Sequence, residues 1–292
     1  MKRFAFLALA LAGVCWGLGF PLGKLALRET DAAHVVLLRF AVAALVASPF
    51  ALARPEARAL FRSPRVLLAG VLYGVAFVVQ FEGLAHVSVT LAARLVGAMP
   101  ALVAVWSRLA GERIGKAAWA GVAAATVGAV LIAGRPDGAG SPLGVALSLG
   151  SLLIFLAWLR VSRGAPTEVP PMAVPAVTVV VAAAAVLPIA LALHGAPKLD
   201  LSPVAWAGIA GQGVLSTLVA TAAWQYGAAR VGSASAGVFI NIEPLMGALI
   251  GVLLFGDRLT WALGLGGLLI LAGSLGVVLA EGTHAPAPPT PS

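Results

Sequence analysis

The sequence predicts an all-α integral membrane fold: ten transmembrane helices arranged as two inverted five-helix repeats. Three observations carry that prediction. Hydrophobic residues make up 61% of the chain and charged residues 10%, against about 25% charged in a typical soluble domain. A chain this apolar cannot cover itself with polar surface in water. Apolar stretches close to the length of a bilayer crossing, about 20 residues, follow one another from end to end. The second half of the chain also repeats landmarks of the first.

The stretches run over residues 4–24, 32–53, 66–84, 87–109 and 117–133 in the first half, and 142–159, 172–193, 204–229, 233–255 and 259–280 in the second. Lys2 and Arg3 ahead of an apolar run resemble a signal peptide, and 11–15 comes near a lipoprotein cleavage box. The run continues past Cys15 through Trp16 and Phe20, too long for a signal h-region, so it reads as the first span. Connections are short and carry turn chemistry, such as Arg135-Pro136-Asp137-Gly138. Residues 1–136 and 137–281 then form the two repeats, and 282–292 a disordered cytoplasmic tail rich in proline.

Orientation follows from the basic residues. With the N-terminus inside, twelve Lys and Arg fall on the inner side and five on the outer, while Arg39 and Arg94 lie within spans. A multi-pass protein of a bacterial-type inner membrane with both termini cytoplasmic is expected. The net charge of +8 therefore sets topology. No basic face with interleaved aromatics exists to track phosphates, which excludes nucleic acid as a partner. The single cysteine, Cys15, excludes an internal disulfide and a cysteine-based metal cluster.

The internal repeat is read residue by residue. Glu82-Gly83-Leu84-Ala85-His86 and Met99-Pro100 match Tyr226-Gly227-Ala228-Ala229-Arg230 and Glu243-Pro244 at a constant offset of 144. Gly111-Glu112-Arg113-Ile114 then matches Gly256-Asp257-Arg258-Leu259 at 145. A unit of five spans is odd, so the second copy enters from the opposite side. Inverted duplication is a device of secondary transporters, whose substrate sites lie between the halves.

These landmarks resemble the drug/metabolite transporter superfamily, specifically its ten-helix EamA-type carriers. The matching residues are Cys15-Trp16-Gly17, Arg39-Phe40, Gly83-Leu84-Ala85, Ala98-Met99-Pro100, Gly111-Glu112-Arg113 and Glu243-Pro244. The resemblance covers the chain to about Ala280. It implies two inverted halves around a central cavity lined mainly by spans 1, 3, 4, 6, 8 and 9. Within the superfamily the chain looks most like amino-acid exporters of the YddG type, which favour aromatic and other apolar amino acids. Two residues depart from the pattern: Asp257 where Glu is usual, and Arg94 where an apolar residue is usual.

Charges within spans default to functional candidates. Arg39, Glu82 and Arg94 form a candidate outer-half charge cluster for a substrate carboxylate. Arg39 lies about 12 Å deep. In the competing account Arg39 pairs with backbone carbonyls or Glu82, and Arg94 snorkels to the interface. Glu243 lies about 15 Å deep, near the midplane, and is a candidate for proton coupling. Pro100 and Pro244 hold equivalent places and are expected to kink their helices. Candidate substrate-binding residues are Trp16, Tyr73, Phe77, Gln80, Met99, Trp224, Asn241 and Glu243. Tyr73, Phe77 and Gln80 share one helix face. Trp158 lies close enough to its helix end to read as an interfacial anchor. Gly264, Gly266, Gly267, Gly273 and Gly276 are expected to let helices approach closely.

The expected function is export of small apolar or aromatic amino acids, or related metabolites, by alternating access. The alternative within the superfamily is a lipophilic-cation or multidrug exporter, with Glu243 and aromatic walls as its site. An intramembrane enzyme is a remote third: His86 and His194 sit at the outer side and Ser233 at the inner, so they cannot share a proton. No catalytic residue, metal ligand or cofactor is expected, for the chain has no His-Glu-x-x-His motif, paired aspartates or strand-borne nucleotide loop. The expected partners are the lipid bilayer and a small-molecule substrate.

Overall fold

The computed structural model describes residues 2–84, 86, 95–97, 99–133, 141–166, 168–255 and 260–283, and among them every regular element is helical. In chain order these are α1 (Lys2–Ala26), α2 (Ala32–Leu52), a short α3 (Pro55–Ala59), α4 (Pro64–Leu84), α5 (Met99–Leu109), α6 (Lys116–Ala133) and α7 (Pro142–Arg163). There follow α8 (Ala173–His194), α9 (Pro203–Gly211), α10 (Ala220–Ala228), α11 (Ser233–Val238), α12 (Ile242–Phe255) and α13 (Trp261–Thr283). Among the described residues, six helical runs are long and apolar enough to cross a membrane: Arg3–Gly23, Ala32–Leu52, Pro64–Gly83, Pro142–Arg163, Ala173–His194 and Pro203–Ala228. Shorter apolar helices cover Leu95–Leu109, Lys116–Ile132 and Trp261–Val277.

Local chemistry explains the boundaries. Ser141 and Ser202 cap their helices by accepting from Gly144 N and Ala205 N at 3.0 and 3.2 Å, and a proline occupies the next position in each. Proline at that position gives up a donor that has no partner anyway. Asp31 caps α2 through His34 N at 3.0 Å. Gly195 ends α8 with φ of 74°, a conformation glycine adopts without steric cost.

Two helical runs are irregular where they matter. Between α9 and α10, Gln212–Val219 is π-helical, so Pro203–Ala228 forms one continuous run with a widened middle. Between α11 and α12, Phe239–Asn241 forms a 3-10 turn. Pro244 explains that turn, because its ring crowds the Ile240 carbonyl and supplies no N–H to it. Pro100 lies one residue into α5. Helix α13 continues to Thr283, past the predicted start of the tail at 282, and 284–292 lie outside the described residues, as does Asp257.

The hydrogen bonds between connections sort them into two ends. At the N-terminal end, Arg65 donates to Gly164 O at 2.6 Å, Arg163 to Val231 O at 2.9 Å and Arg160 to Glu112 at 3.3 Å. At the far end, Ser202 donates twice to Glu29 at 2.6 and 2.7 Å, and Glu82 meets His194 at 2.9 Å. Ser141 N also bonds His86 O there, at 3.1 Å. Between the ends, α4 packs along α7 and α8, α2 along α8, α1 along α10 and α12, and α6 along α13. Leu265, Leu268, Leu271, Leu275 and Leu279 of α13 are exposed, an outward apolar face suited to lipid.

The α6–α13 contact is made backbone to backbone. A Cβ added to Gly128 would lie 2.5 Å from Gly266 O, and one on Gly266 would lie 2.5 Å from Gly128 O. Gly121 and Gly273 meet in the same reciprocal way, at 2.7 and 2.6 Å. Residue numbers rise along one helix as they fall along the other, so the pair is antiparallel. Of the predicted close-approach glycines, Gly266 and Gly273 make such contacts and Gly267 faces the Leu245 side chain at 3.0 Å, whereas Gly264 and Gly276 face open space.

Gly128→Ala should lower stability by about 1–3 kcal/mol through overpacking, while Gly264→Ala should leave it within about 0.5 kcal/mol; thermal unfolding in detergent checks both. Glu29 offers a pH test. Its two bonds from Ser202, hydroxyl first and then backbone, hold its carboxyl below the ordinary value. Such a group stabilises fully above its unfolded value and loses that contribution as pH falls through the lowered folded one. The melting advantage of the parent over Glu29→Gln should therefore shrink on acidification.

Candidate substrate chamber

Five of the apolar runs bring aromatic rings together inside the bundle. Tyr73 of α4 stacks on Trp158 of α7 with centroids 4.5 Å apart. Phe77, one turn along α4, meets Tyr73 at 5.1 Å, Phe155 at 5.0 Å and Phe40 of α2 at 5.7 Å, all edge to face. Trp16 of α1 lies 5.4 Å from Trp224 of α10 and 6.5 Å from Trp158. Edge-to-face and offset arrangements satisfy the ring quadrupoles. Trp158 is thus a core residue, 1% exposed, and not the interfacial anchor that its place near a helix end suggested. Helix α7 runs on to Arg163, which leaves Trp158 more than a turn inside it.

Arg39 of α2 is set against this aromatic wall, 2% exposed. Its guanidinium sits 4.3 Å from the Phe77 ring centroid, within cation–π range. Its Nε donates to Thr217 Oγ1 at 3.0 Å and a terminal nitrogen donates to Ser216 O at 3.4 Å. Both acceptors belong to the π-helical segment. That segment is itself tied to α1, with Gln212 Nε2 donating to Gly19 O at 2.7 Å and Ser216 Oγ to Cys15 O at 2.6 Å. Thr221 Oγ1 lies 2.9 Å from the Tyr73 hydroxyl.

The proposed charge cluster does not assemble as expected. Glu82 is turned to His194 at the far end of the bundle and is no partner of Arg39. Its side chain stays 20% exposed there, which a carboxylate favours over full burial. Arg94 lies outside the described residues. Glu243 is half-buried in the first turn of α12.

Other candidates fall around the same core. Met99 is 4% exposed and joins the hydrophobic cluster that contains Tyr73, Phe77, Trp158 and Trp224. Gln80 is half-buried on α4. Asn241 is fully buried and, among the described residues, neither of its amide atoms has a hydrogen-bond partner; the same holds for both amide atoms of half-buried Gln225. Buried amides are ordinarily satisfied, so these are groups available to a ligand or to water. Pro244 lies three residues beyond Asn241 and is buried. Gln212, Ser216, Thr217, Thr221 and Phe155 were absent from the predicted site. Their polar side chains within an apolar run were visible in the sequence, but not which neighbour they would serve.

The arrangement holds a buried cation, Arg39, against an aromatic cluster. Among the described residues no group of three or more His, Cys, Asp or Glu side chains could hold a metal. Ser233 bonds Glu112 at the N-terminal end, far from His86 and His194 at the other. Thr217→Val should strand the Arg39 Nε and cost about 1–3 kcal/mol, with Thr217→Ser recovering most of it; thermal unfolding of the detergent-solubilised protein measures both.

Residues 3–134 and 142–279 match the model of the EamA-like transporter family. Over 66 residues the chain is 35% identical to the permease-like protein YdzE of Bacillus subtilis (strain 168), a stretch equal to 23% of this chain and 85% of that protein. A protein of known crystal structure superposes with a TM-score of 0.81 over 94% of this chain and 96% of its own, at 20% identity, which is a likeness of fold alone. The two family matches between them span nearly the whole chain, and the apolar helices agree with them. The chain therefore belongs to the EamA-like transporter family and is a multi-pass membrane transporter.

Proposed function

We propose that this transporter exports small apolar and aromatic amino acids by alternating access, binding them in the aromatic chamber. The observation that carries this reading is Arg39, buried with its guanidinium over the Phe77 ring and, among the described residues, in no ion pair. A zwitterion with an apolar side chain fits that layout. Its carboxylate pairs with Arg39, its ammonium with Glu243, and its side chain with the rings of Trp16, Tyr73, Phe77 and Trp224. Gln80 and Asn241 supply amide hydrogen bonds, and Met99 adds an adaptable apolar wall. Proton coupling through Glu243 belongs to the same reading.

Two inverted five-helix halves are part of the proposal. The two separate family matches support them, as do the helix contacts. At the repeat offset of 145, Gly121 corresponds to Gly266 and Gly128 to Gly273. The contacts Gly121–Gly273 and Gly128–Gly266 therefore exchange under the repeat. Gly83 packs on Ser148 of α7 as its equivalent Gly227 packs on Ala5 of α1. The ten-span count and the kink at Pro100 stand with this reading, as does a cytoplasmic location for both termini in an inner membrane, which the basic N-terminal end supports.

Liposomes holding the purified protein test it with labelled phenylalanine, methionine, threonine and a lipophilic cation, with and without a proton gradient. Saturable phenylalanine and methionine flux is expected. Arg39→Gln should raise KM by about 10- to 100-fold, the worth of a charge-assisted hydrogen bond, and Glu243→Gln should remove any gradient dependence. Flux of the cation alone, lost in Glu243→Gln, would replace this reading with drug export.

A further inference from the structure

A small pocket with apolar walls (Val103, Leu156, Leu159, Ala236) and a few polar groups lies at the N-terminal end of the bundle. It is also bounded by Ser107 of α5, Arg160 and Arg163 of α7, Trp224 of α10 and Ser233 of α11. Trp224 is shared with the chamber, where its ring meets Trp16. The pocket is thus separated from the aromatic enclosure by one layer of indole rings. Its rim carries two arginines, and Arg163 is braced on Val231 O at 2.9 Å.

One carboxylate closes this rim. Glu112 Oε1 accepts from Arg160 at 3.3 Å and from Ser233 Oγ at 2.9 Å. Glu112 comes from the connection after α5, Arg160 from the end of α7 and Ser233 from the first residue of α11. A single side chain therefore pins three segments across the opening. The Arg160 and Glu112 side chains are 47% and 31% exposed, and a pair so wetted is weak and exchangeable. A ligand carboxylate offers Arg160 the same chemistry as Glu112 does. Once it takes the guanidinium, Glu112 keeps, among the described residues, the bond from Ser233.

We propose that this pocket is the mouth of the transport path, that it docks the carboxylate of an organic anion or zwitterion on Arg160, and that Glu112 is the latch the incoming carboxylate displaces. The proposal rests on the reading of the aromatic chamber as the path, and on no particular cargo.

Ser107 lines the pocket and is 2% exposed, which makes it a reporter of opening. In nanodiscs, where both faces are accessible, a Cys15→Ala, Ser107→Cys protein is treated with a membrane-impermeant thiol reagent. Adding Glu112→Gln should speed labelling about three- to tenfold, as loss of a wetted ion pair with its hydrogen bond implies; Glu112→Asp should stay within about twofold of the parent. Ser233→Ala, which removes the other arm, should also speed it and serves if Glu112→Gln fails to fold. Benzoate should slow labelling of Glu112→Gln, while phenethylamine, with a similar ring and no carboxylate, should not. Labelling indifferent to both Glu112→Gln and Ser233→Ala would overturn the latch, and equal slowing by the two probes would overturn the carboxylate dock. Absence of phenylalanine flux in liposomes, with these labelling effects intact, would count against the amino-acid reading alone.

Discussion

A guanidinium buried between apolar helices must be given acceptors, and much of this structure follows from how Arg39 obtains them. Its own helix offers none, since the carbonyls of α2 are engaged in their ladder. The acceptors come from the π-helical segment Gln212–Val219, where the hydroxyl of Thr217 and the carbonyl of Ser216 face α2 together. π-Helical turns are uncommon and recur at functional sites. Here the turn has a definable purpose, because it presents a side-chain and a backbone oxygen from consecutive residues to one cation. The segment is in turn held to α1 through Gln212 and Ser216. Gly23 makes that possible, since a Cβ there would lie 2.6 Å from Gln212 Nε2.

The aromatic cluster is the other half of the same solution. Phe77 lies against the guanidinium, and Tyr73, Phe155 and Trp158 fill the space behind it. A cation over a ring gains electrostatic attraction without an opposite charge having to be buried beside it. Arg39 therefore stays in place without an ion-pair partner in contact. On the proposed reading that spare capacity is what the cargo uses, and Glu243 completes the pair of charges that an amino acid needs.

Much of the architecture was legible in the sequence because lipid imposes long apolar stretches and because landmarks recur at fixed offsets. The rings of α1, α4 and α10 that the structure gathers into one cluster could be named from the sequence too, as large aromatics lying within apolar spans. Partnerships were harder to read. Glu82 and Arg39 occupy neighbouring spans on paper, but the structure turns Glu82 to His194 and gives Arg39 to a helix 177 residues away. Trp158 looked like an anchor because the end of its helix was drawn at 159, four residues short. The π-helical register leaves no mark in hydropathy, so the oxygens that it turns toward α2 became visible only in three dimensions.

The reciprocal glycine contact between α6 and α13 bears on which parts of the molecule are able to move. Where side chains interdigitate, two helices can slide by exchanging rotamers, each exchange passing through a modest barrier. Gly121, Gly128, Gly266 and Gly273 have no rotamers to exchange, and their neighbours across the contact are carbonyl oxygens at the limit of approach. Displacement along that seam drives backbone into backbone, so the two helices form a rigid post. Relative motion is left to the helices held by side chains and single hydrogen bonds, and the post is the fixed frame against which their travel would be measured.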